Sequence, residues 1–207
     1  TGIRDGAPAH WSDILAVTPE FRGTGLGKRL KWFQRDELLK AGVRTMYWTY
    51  DPLQALNANL NINTLRARPV EYIVNMYGDT GSDLHAGLGT DRFVAQWDLD
   101  SPEVSMAASG EQHAGAPAPE APVVNTCEGG AGVEPIESDL PDADRVLVEI
   151  PLSINDAKAA SPDAGARWRA CTRRVFQHYM GRGMRVTGFH ALGDTRRVYS
   201  LGFDELP

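Results

Sequence analysis

The chain has 207 residues, of which 42% are hydrophobic and 23% charged, and its formal net charge is −6. This composition predicts a globular protein with a real core, and it argues against nucleic acid as a partner because nucleic-acid binding usually needs a concentrated basic face. No apolar stretch has the length of a membrane span and the N-terminus has no signal-peptide pattern, so we expect a cytoplasmic protein without a membrane partner. Its two cysteines, Cys127 and Cys171, match no metal-ligand spacing, and no metal site is predicted.

The first strong pattern along the chain is an apolar segment followed by a glycine cluster, "ILAVTPEFRGTGLGKRLKWF" (14–33). The stretch "DILAV" (13–17) predicts a buried strand that ends before Pro19. After the glycines a helix is predicted, ending at Gly42. Its apolar residues recur at helical spacing and are Leu26, Leu30 and Phe33.

The three glycines at positions 23, 25 and 27 therefore lie in a strand-to-helix turn. Such a turn leaves backbone N–H groups uncovered at the positive end of a helix, which is a site for phosphate or pyrophosphate. Neither the dinucleotide-binding fingerprint nor the phosphate loop of NTPases fits the spacing. The pattern that fits is R-x-x-G-x-G, from Arg22 to Gly27.

Beyond the turn the chain predicts an aromatic strand (43–52) and a helix (53–65). Residues 101–142 are rich in Ala, Pro, Gly, Ser and acidic residues without periodicity, which is typical of a flexible linker. Strand and helix patterns return after the linker. They predict a β-α-β-β unit over residues 143–207.

The R-x-x-G-x-G motif, the strand before it and the Pro-Glu step resemble the GNAT superfamily of acyl-coenzyme A dependent N-acetyltransferases. The stretches "RLKWFQRD", "WTYDPL", "NLNINTL" and "TDRFVAQWDLD" also resemble a group of predicted bacterial GNAT proteins of unsettled substrate. The resemblance implies a mixed α/β (α+β) fold whose central sheet is splayed, with the acyltransferase core in residues 1–100. It further implies acetyl-CoA as co-substrate and a small-molecule or peptide amine as acceptor.

In that family the loop corresponding to Arg22–Lys28 binds the coenzyme A pyrophosphate, and the strand before it binds the pantetheine arm. The helix predicted at 53–65 corresponds to the one that flanks the coenzyme, and we take Asn57 as the residue of this helix that contacts the pantetheine arm. The coenzyme-binding residues implied are Leu15, Ala16, Val17, Arg22, Gly23, Thr24, Gly25, Leu26, Gly27, Lys28 and Asn57.

The catalytic acid and base are harder to assign, because the tyrosine that often serves as acid in the family aligns with Ile62. Tyr50 ends the strand next to the pantetheine strand and is our candidate for the acid. Asp13 shares a strand face with Leu15 and Val17 and is our candidate for the base. The alternatives are a structural tyrosine at a strand end and a solvated aspartate.

Only "TGIRDGAPAHW" precedes the predicted pantetheine strand, whereas the family core begins with further strands. We therefore expect the opening strands to be absent and the C-terminal unit to dock on the core, within the chain or across a homodimer. Two other functions stay open: a non-catalytic module that binds or senses acyl-CoA, and a structural subunit.

Overall fold

The structure is a computed structural model, and it describes residues 1–13, 15–78, 89–110, 117–127, 135–161 and 163–203. Over these residues the protein is a mixed α+β fold with a five-stranded sheet, a three-stranded sheet and five α-helices. The coarse fold class predicted from the sequence is confirmed.

The five-stranded sheet belongs to the N-terminal half of the chain. Its strands are β1 (Gly2–Arg4), β2 (Ala7–Trp11), β3 (Thr45–Tyr50), β4 (Arg68–Ile73) and β5 (Arg92–Asp98). Their order in the sheet is β1-β2-β3-β5-β4. The β2–β3 pair is parallel and the other pairs are antiparallel.

Two helical elements connect these strands. α1 (Leu26–Lys40) lies between β2 and β3, and its last turn is closed by Gly42, whose φ is 76°. α2 (Ala55–Ala58) continues directly into a π-helical segment, Asn59–Thr64. Both helices agree with the predicted patterns, although the π-helical turn was not expected.

The C-terminal unit contains β8 (Arg145–Ile150), α4 (Ile154–Ala160), α5 (Ala164–Gly181), β9 (Arg185–Leu192) and β10 (Arg196–Gly202). The strands form an antiparallel sheet in the order β8-β10-β9. The predicted β-α-β-β pattern thus gains a short helix, α4, which begins because the Ser153 side chain accepts a hydrogen bond from the Asp156 amide.

One hydrophobic core contains buried side chains from both sheets. The rings of Phe93 on β5 and Phe176 on α5 lie 4.8 Å apart, and Tyr199 on β10 lies 5.5 Å from Phe93. Arg169 on α5 donates to both carboxylate oxygens of Asp51, at 2.8 Å each. The C-terminal unit therefore packs directly on the sheet of the N-terminal half.

The expected strand at 13–17 was wrong. The strand lies earlier, at Ala7–Trp11, and the described residues of 13–17 have no strand partner. Leu15 is 41% exposed, so the apolar run is not a core strand. Four consecutive apolar residues cannot distinguish a paired strand from an unpaired extended segment, because the partner that decides lies elsewhere in the chain.

The segment predicted as a linker, 101–142, contains more regular structure than its composition suggested. α3 (Pro102–Ala108) begins where the Ser101 side chain accepts from the Val104 amide. Two short strands, β6 (Asn125–Cys127) and β7 (Pro135–Glu137), pair with each other. The backbone of Val124 pairs with Leu147 of β8, which ties this part of the segment to the C-terminal sheet.

Candidate functional site

The candidate site begins where two parallel strands separate. β2 pairs with β3 from Ala9 to Trp11, and the amide of Ser12 makes the last hydrogen bond, to the Tyr47 carbonyl at 2.8 Å. Beyond that bond β3 continues through Tyr50, paired only with β5 on its other side. In the described part of the chain no backbone hydrogen bond joins residues 13–17 to β3. The strands therefore leave a wedge with unpaired backbone along its side.

A cavity of about 120 Å³ occupies this wedge. Its polar lining comes from four elements: the end of β2, α1, the end of β3, and the helical segment after β3. The side chains that matter below are Ser12, Asp13, Lys31, Trp48, Tyr50 and Asn57.

The glycine-rich turn lies at the other end of residues 13–17. A 3₁₀ turn, Pro19–Phe21, reverses the chain, and Gly23 and Gly25 follow with φ of 77° and 78°. Residues other than glycine rarely adopt these φ values, so the backbone conformation of the turn requires both glycines. The Arg22 side chain closes the turn by donating from Nε to the Val17 carbonyl at 3.4 Å.

The first turn of α1 presents its free amides here. Gly25 is the residue before the helix, and the bond from the Arg29 amide to the Gly25 carbonyl, 3.1 Å, is the first of the helical series. The amides of residues 26–28 therefore have no helical carbonyl to bind. Together with Lys28 and the exposed Arg22 and Arg29, they form a group of donors that suits a phosphate.

Not every predicted residue of the turn is equally available. The Thr24 amide and hydroxyl both donate to the Phe21 carbonyl, at 3.4 Å and 2.7 Å, so Thr24 stabilises the turn itself. A Cβ at Gly27 would lie 3.7 Å from Val17 and 3.9 Å from Leu15, which is ordinary contact. The side chains of residues 15 and 17 thus face the first turn of α1.

Tyr50 lies at the end of β3 and is 5% exposed. Its hydroxyl has no hydrogen-bond partner among the described residues, although it lines the cavity. Burial raises the pKa of Tyr50 well above its ordinary value, and the nearby Tyr199 hydroxyl offsets this only in part. The phenol therefore keeps its proton, and the Tyr199 hydroxyl is the polar group beside it.

The other two predicted side chains lie at the open edge of the cavity. Asp13 is exposed at the start of the unpaired segment, and Asn57 is exposed on α2. The wedge thus brings Asp13, Tyr50 and Asn57 to one cavity, with Leu15 in its lining. The glycine turn lies beyond residues 15–17 and contributes no lining residue to it.

Sequence reasoning missed the role of Lys31, which it treated as one more charge near the glycines. Lys31 is 4% exposed, its Nζ lies 4.1 Å from the centre of the Trp48 ring, and it donates to Ser12 Oγ at 3.4 Å. Burial lowers the pKa of Lys31 to about 8. Lys31 and Leu38 are the two buried residues of α1. They are seven residues apart and lie on one face of the helix, and this spacing is the signal in the sequence that could have indicated the burial of Lys31.

A polar network supports Lys31 from the side of β2. Gln34 Nε2 lies 3.4 Å from Ser12 Oγ and 3.3 Å from Nε2 of His10. Burial lowers the pKa of His10, and nearby positive charges that include Lys31 act in the same direction, while Asp13 opposes them. We call the place where Ser12 makes the last hydrogen bond to β3 the closed end of the wedge. Positive charge is therefore disfavoured at this closed end.

A larger cavity, about 540 Å³, lies on another side of the π-helical segment. It is lined by residues of 62–69 and by β9, among them Arg66, whose φ is 60°. Its charged lining is mixed, since Arg68 pairs with Asp98 at 2.7 Å and Glu103 adds a second carboxylate.

Searches against protein-family models, curated proteins and solved structures found no match to this chain. Within the described ranges no helix is both long and apolar enough to cross a membrane. The same residues contain no cluster of three or more His, Cys, Asp or Glu side chains arranged to hold a metal ion.

Proposed function

We propose that this protein is an acyl-CoA dependent N-acetyltransferase of the GNAT type, which transfers an acyl group directly to the amine of a small-molecule or peptide acceptor. The observation that carries the proposal is the path from the strand separation after Tyr47, along residues 13–17, to the free amides at the start of α1. A thioester attached to a pyrophosphate needs both features at once, unpaired backbone for its arm and clustered amides for its phosphates.

Each part of the path has a role in this proposal. The amides of residues 26–28, with Arg22 and Lys28, bind the pyrophosphate. The unpaired backbone of Leu15, Ala16 and Val17 binds the pantetheine arm as a strand would, and Asn57 contacts it from α2. The wedge cavity receives the acyl group.

The bound thioester supplies an activated acyl carbon, whose bond to sulfur breaks as a bond to the acceptor nitrogen forms. A backbone amide of the unpaired segment stabilises the oxyanion that develops. Asp13 accepts the proton released by the acceptor amine, since it lies at the open edge of the cavity. Tyr50, which lines the cavity, donates its phenolic proton to the leaving sulfur.

One observation favours the alternative, a module that binds or senses acyl-CoA without catalysis. Because burial raises the pKa of Tyr50, transfer of its proton to a thiolate is less favourable than from an exposed phenol. Tyr50 would then only hydrogen-bond to the ligand. The cytoplasmic location and the homodimer remain predictions from the sequence.

Calorimetric titration with coenzyme A tests the binding part of the proposal. In Gly25→Asp a carboxylate opposes the pyrophosphate and the backbone is strained at φ 78°, so we expect affinity to fall by roughly 100-fold or more. Gly42→Asp is the matched control, because Gly42 has φ 76° and open space around its Cα, at the opposite end of α1. Gly25→Asn, of the same shape without the charge, separates repulsion from strain.

Full affinity in a folded Gly25→Asp protein would overturn the coenzyme site. Equal losses in Gly25→Asp and Gly42→Asp would assign the effect to helix stability.

Thiol release from acetyl-CoA with a panel of amines tests the catalytic part. We expect Tyr50→Phe to lower turnover by about 10²-fold while coenzyme affinity stays the same. Tyr179→Phe is the control, because that phenol is also buried, donates to the Pro141 carbonyl at 3.0 Å and lies outside the wedge cavity. If no amine reacts although coenzyme A binds, the binding module is the better description.

A further inference from the structure

The ammonium group of Lys31 is buried beside the wedge cavity. Lys31 is 4% exposed, and no carboxylate among the described residues lies within 4.0 Å of its Nζ. Its contacts are the Trp48 ring and the Ser12 hydroxyl. Buried charges in proteins are normally paired, because removing a charge from water is costly unless an opposite charge compensates. An uncompensated lysine that lines a cavity therefore points to an anion supplied by a ligand.

The position of Lys31 identifies which part of a ligand it would meet. Ser12 makes the last bond across to β3, and Trp48 is the first residue of β3 beyond that bond. Because Nζ contacts both side chains, it lies at the closed end of the wedge. The glycine turn lies at the far end of residues 13–17. A ligand with its phosphates on the turn therefore brings the opposite end of its chain, the acyl group, towards Lys31.

The size of the cavity limits what that acyl group can be. Its volume is about 120 Å³, against about 540 Å³ for the larger cavity beside the π-helical segment. A short acyl group with a polar end fits this space, whereas a long fatty chain does not.

The charged and titratable groups around the cavity leave Lys31 available to an anion. Asp13, exposed at the open edge, is the carboxylate among the lining residues. Tyr50 keeps its proton, so it offers a further hydrogen-bond donor rather than a competing negative charge. His10, on the far side of Ser12, is disfavoured as a cation. A carboxylate at the closed end would thus meet one cation and one neutral donor.

We propose that the preferred acyl donor is a short dicarboxylic acyl thioester, such as malonyl- or succinyl-CoA, whose terminal carboxylate pairs with the Lys31 ammonium. This inference rests on the proposed function, because it assigns the closed end of the wedge to the acyl group. Burial lowers the pKa of Lys31 to about 8, and a bound carboxylate raises it again because it compensates the charge.

The test compares the affinities of coenzyme A, acetyl-CoA, malonyl-CoA and succinyl-CoA by calorimetry, in the wild type and in Lys31→Met. We expect the wild type to bind at least one dicarboxylic thioester roughly 10-fold or more tightly than acetyl-CoA, as for a desolvated charge pair. In Lys31→Met we expect that preference to disappear while the affinity for acetyl-CoA changes little. Lys40→Met, an exposed lysine at the end of α1, is the control and keeps the preference.

A second measurement needs no variant. The preference of the wild type for the dicarboxylic thioester should decline as the pH rises from about 8, the pKa of Lys31 in the free protein, towards its higher pKa in the complex, because binding the carboxylate in this range requires the uptake of a proton. The affinity for acetyl-CoA should not follow the same curve.

Equal affinities for the acetyl and dicarboxylic thioesters in the wild type, or an undiminished preference in Lys31→Met, would overturn the inference and leave the proposed function intact. Failure of free coenzyme A and all thioesters to bind would instead overturn the proposed function, and this inference with it.

Discussion

Lys31 carries an energetic cost that depends on pH. In the folded protein its pKa is about 8, against an ordinary value of 10.5. Below about pH 8 Lys31 is protonated in both the folded and the unfolded states. The buried charge then lowers the free energy of unfolding by about 3 kcal/mol. Between about pH 8 and 10.5 the unfolded state holds more protons than the folded state. The contribution of Lys31 to stability therefore rises with pH over this window.

We predict that Lys31→Met raises the free energy of unfolding at pH 7 by about 1 to 3 kcal/mol, because methionine fills the space without a charge. The cation–π contact with Trp48 is lost, which reduces the gain. The difference from the wild type should shrink as the pH approaches 10.5. Urea unfolding at pH 7, 8.5 and 10 measures it.

Lys40→Met, whose side chain is exposed and pairs with Glu37, should change stability little at any of these pH values. A destabilised Lys31→Met protein would mean that the lysine is better solvated than its burial indicates.

At the scale of elements, α1 does not bury the face that its apolar residues suggest. Leu30 is 37% exposed and Phe33 is 64% exposed, whereas Lys31 and Leu38 are buried. The side of the helix that packs on the sheet carries Lys31 over the Trp48 ring. The apolar spacing of α1 therefore does not predict which side is buried.

We expect the unpaired segment that leads into this helix to form backbone hydrogen bonds to the ligand, as an edge strand does when another strand pairs with it. We predict that the amides of residues 15–17 exchange hydrogen quickly in the free protein and slow down when coenzyme A is added, because the pantetheine arm then accepts from them. The amides of residues 26–28 should slow with them. Hydrogen exchange read by mass spectrometry measures both groups.

The amides of β10, in the middle of the C-terminal sheet, are the internal reference and should not change. Protection that spreads over the whole chain would indicate general stabilisation. Unchanged exchange of residues 15–17 at saturating coenzyme A would contradict the proposed path of the ligand.

At the scale of the whole molecule, two buried ion pairs join the halves of the chain. Arg169 binds Asp51, and Arg173 binds Asp91 at 2.7 Å, where the Asp91 side chain is fully buried. Burial acts to raise the pKa of Asp91, but hydrogen bonds from Arg173, Tyr72 and the Asn75 amide outweigh it and lower the pKa. Both pairs cross the boundary between the halves, so the halves cannot separate without breaking them.

We predict that residues 1–100 and 143–207, expressed separately, do not both fold cooperatively. The aromatic core would be divided between them, and each half is small for a domain. Mixing or co-expressing the two should restore folding in part. Circular dichroism with thermal melting of each piece and of the mixture measures this outcome.

A third sample, residues 1–100 with 117–207, is a useful comparison because the backbone of Val124 pairs with Leu147 and the Asn125 side chain pairs with the backbone of Glu149. If both pieces are soluble, unfold cooperatively and melt in the mixture as they do alone, the halves are independent domains.

The sequence alone was sufficient for the elements with strong local signals. The glycine turn, α1, β3, α5 and the final hairpin all follow from helical or alternating periodicity and from turn residues close by in the chain. The composition of the turn was also enough to expect an anion site, because glycine permits the positive φ that Gly23 and Gly25 adopt.

The tertiary structure decided everything that depends on a distant partner. Residues 13–17 look like a strand in the sequence, but 13 and 15–17, the ones that the structure describes, make no backbone hydrogen bond to β3, which separates from this segment after Tyr47. Lys31 looks like a surface charge, and it is buried because Ser12 and Trp48 lie against that side of α1. Pairing and burial are relations between segments far apart in the chain, so local periodicity cannot encode them, and the candidate acyl pocket exists only in the folded molecule.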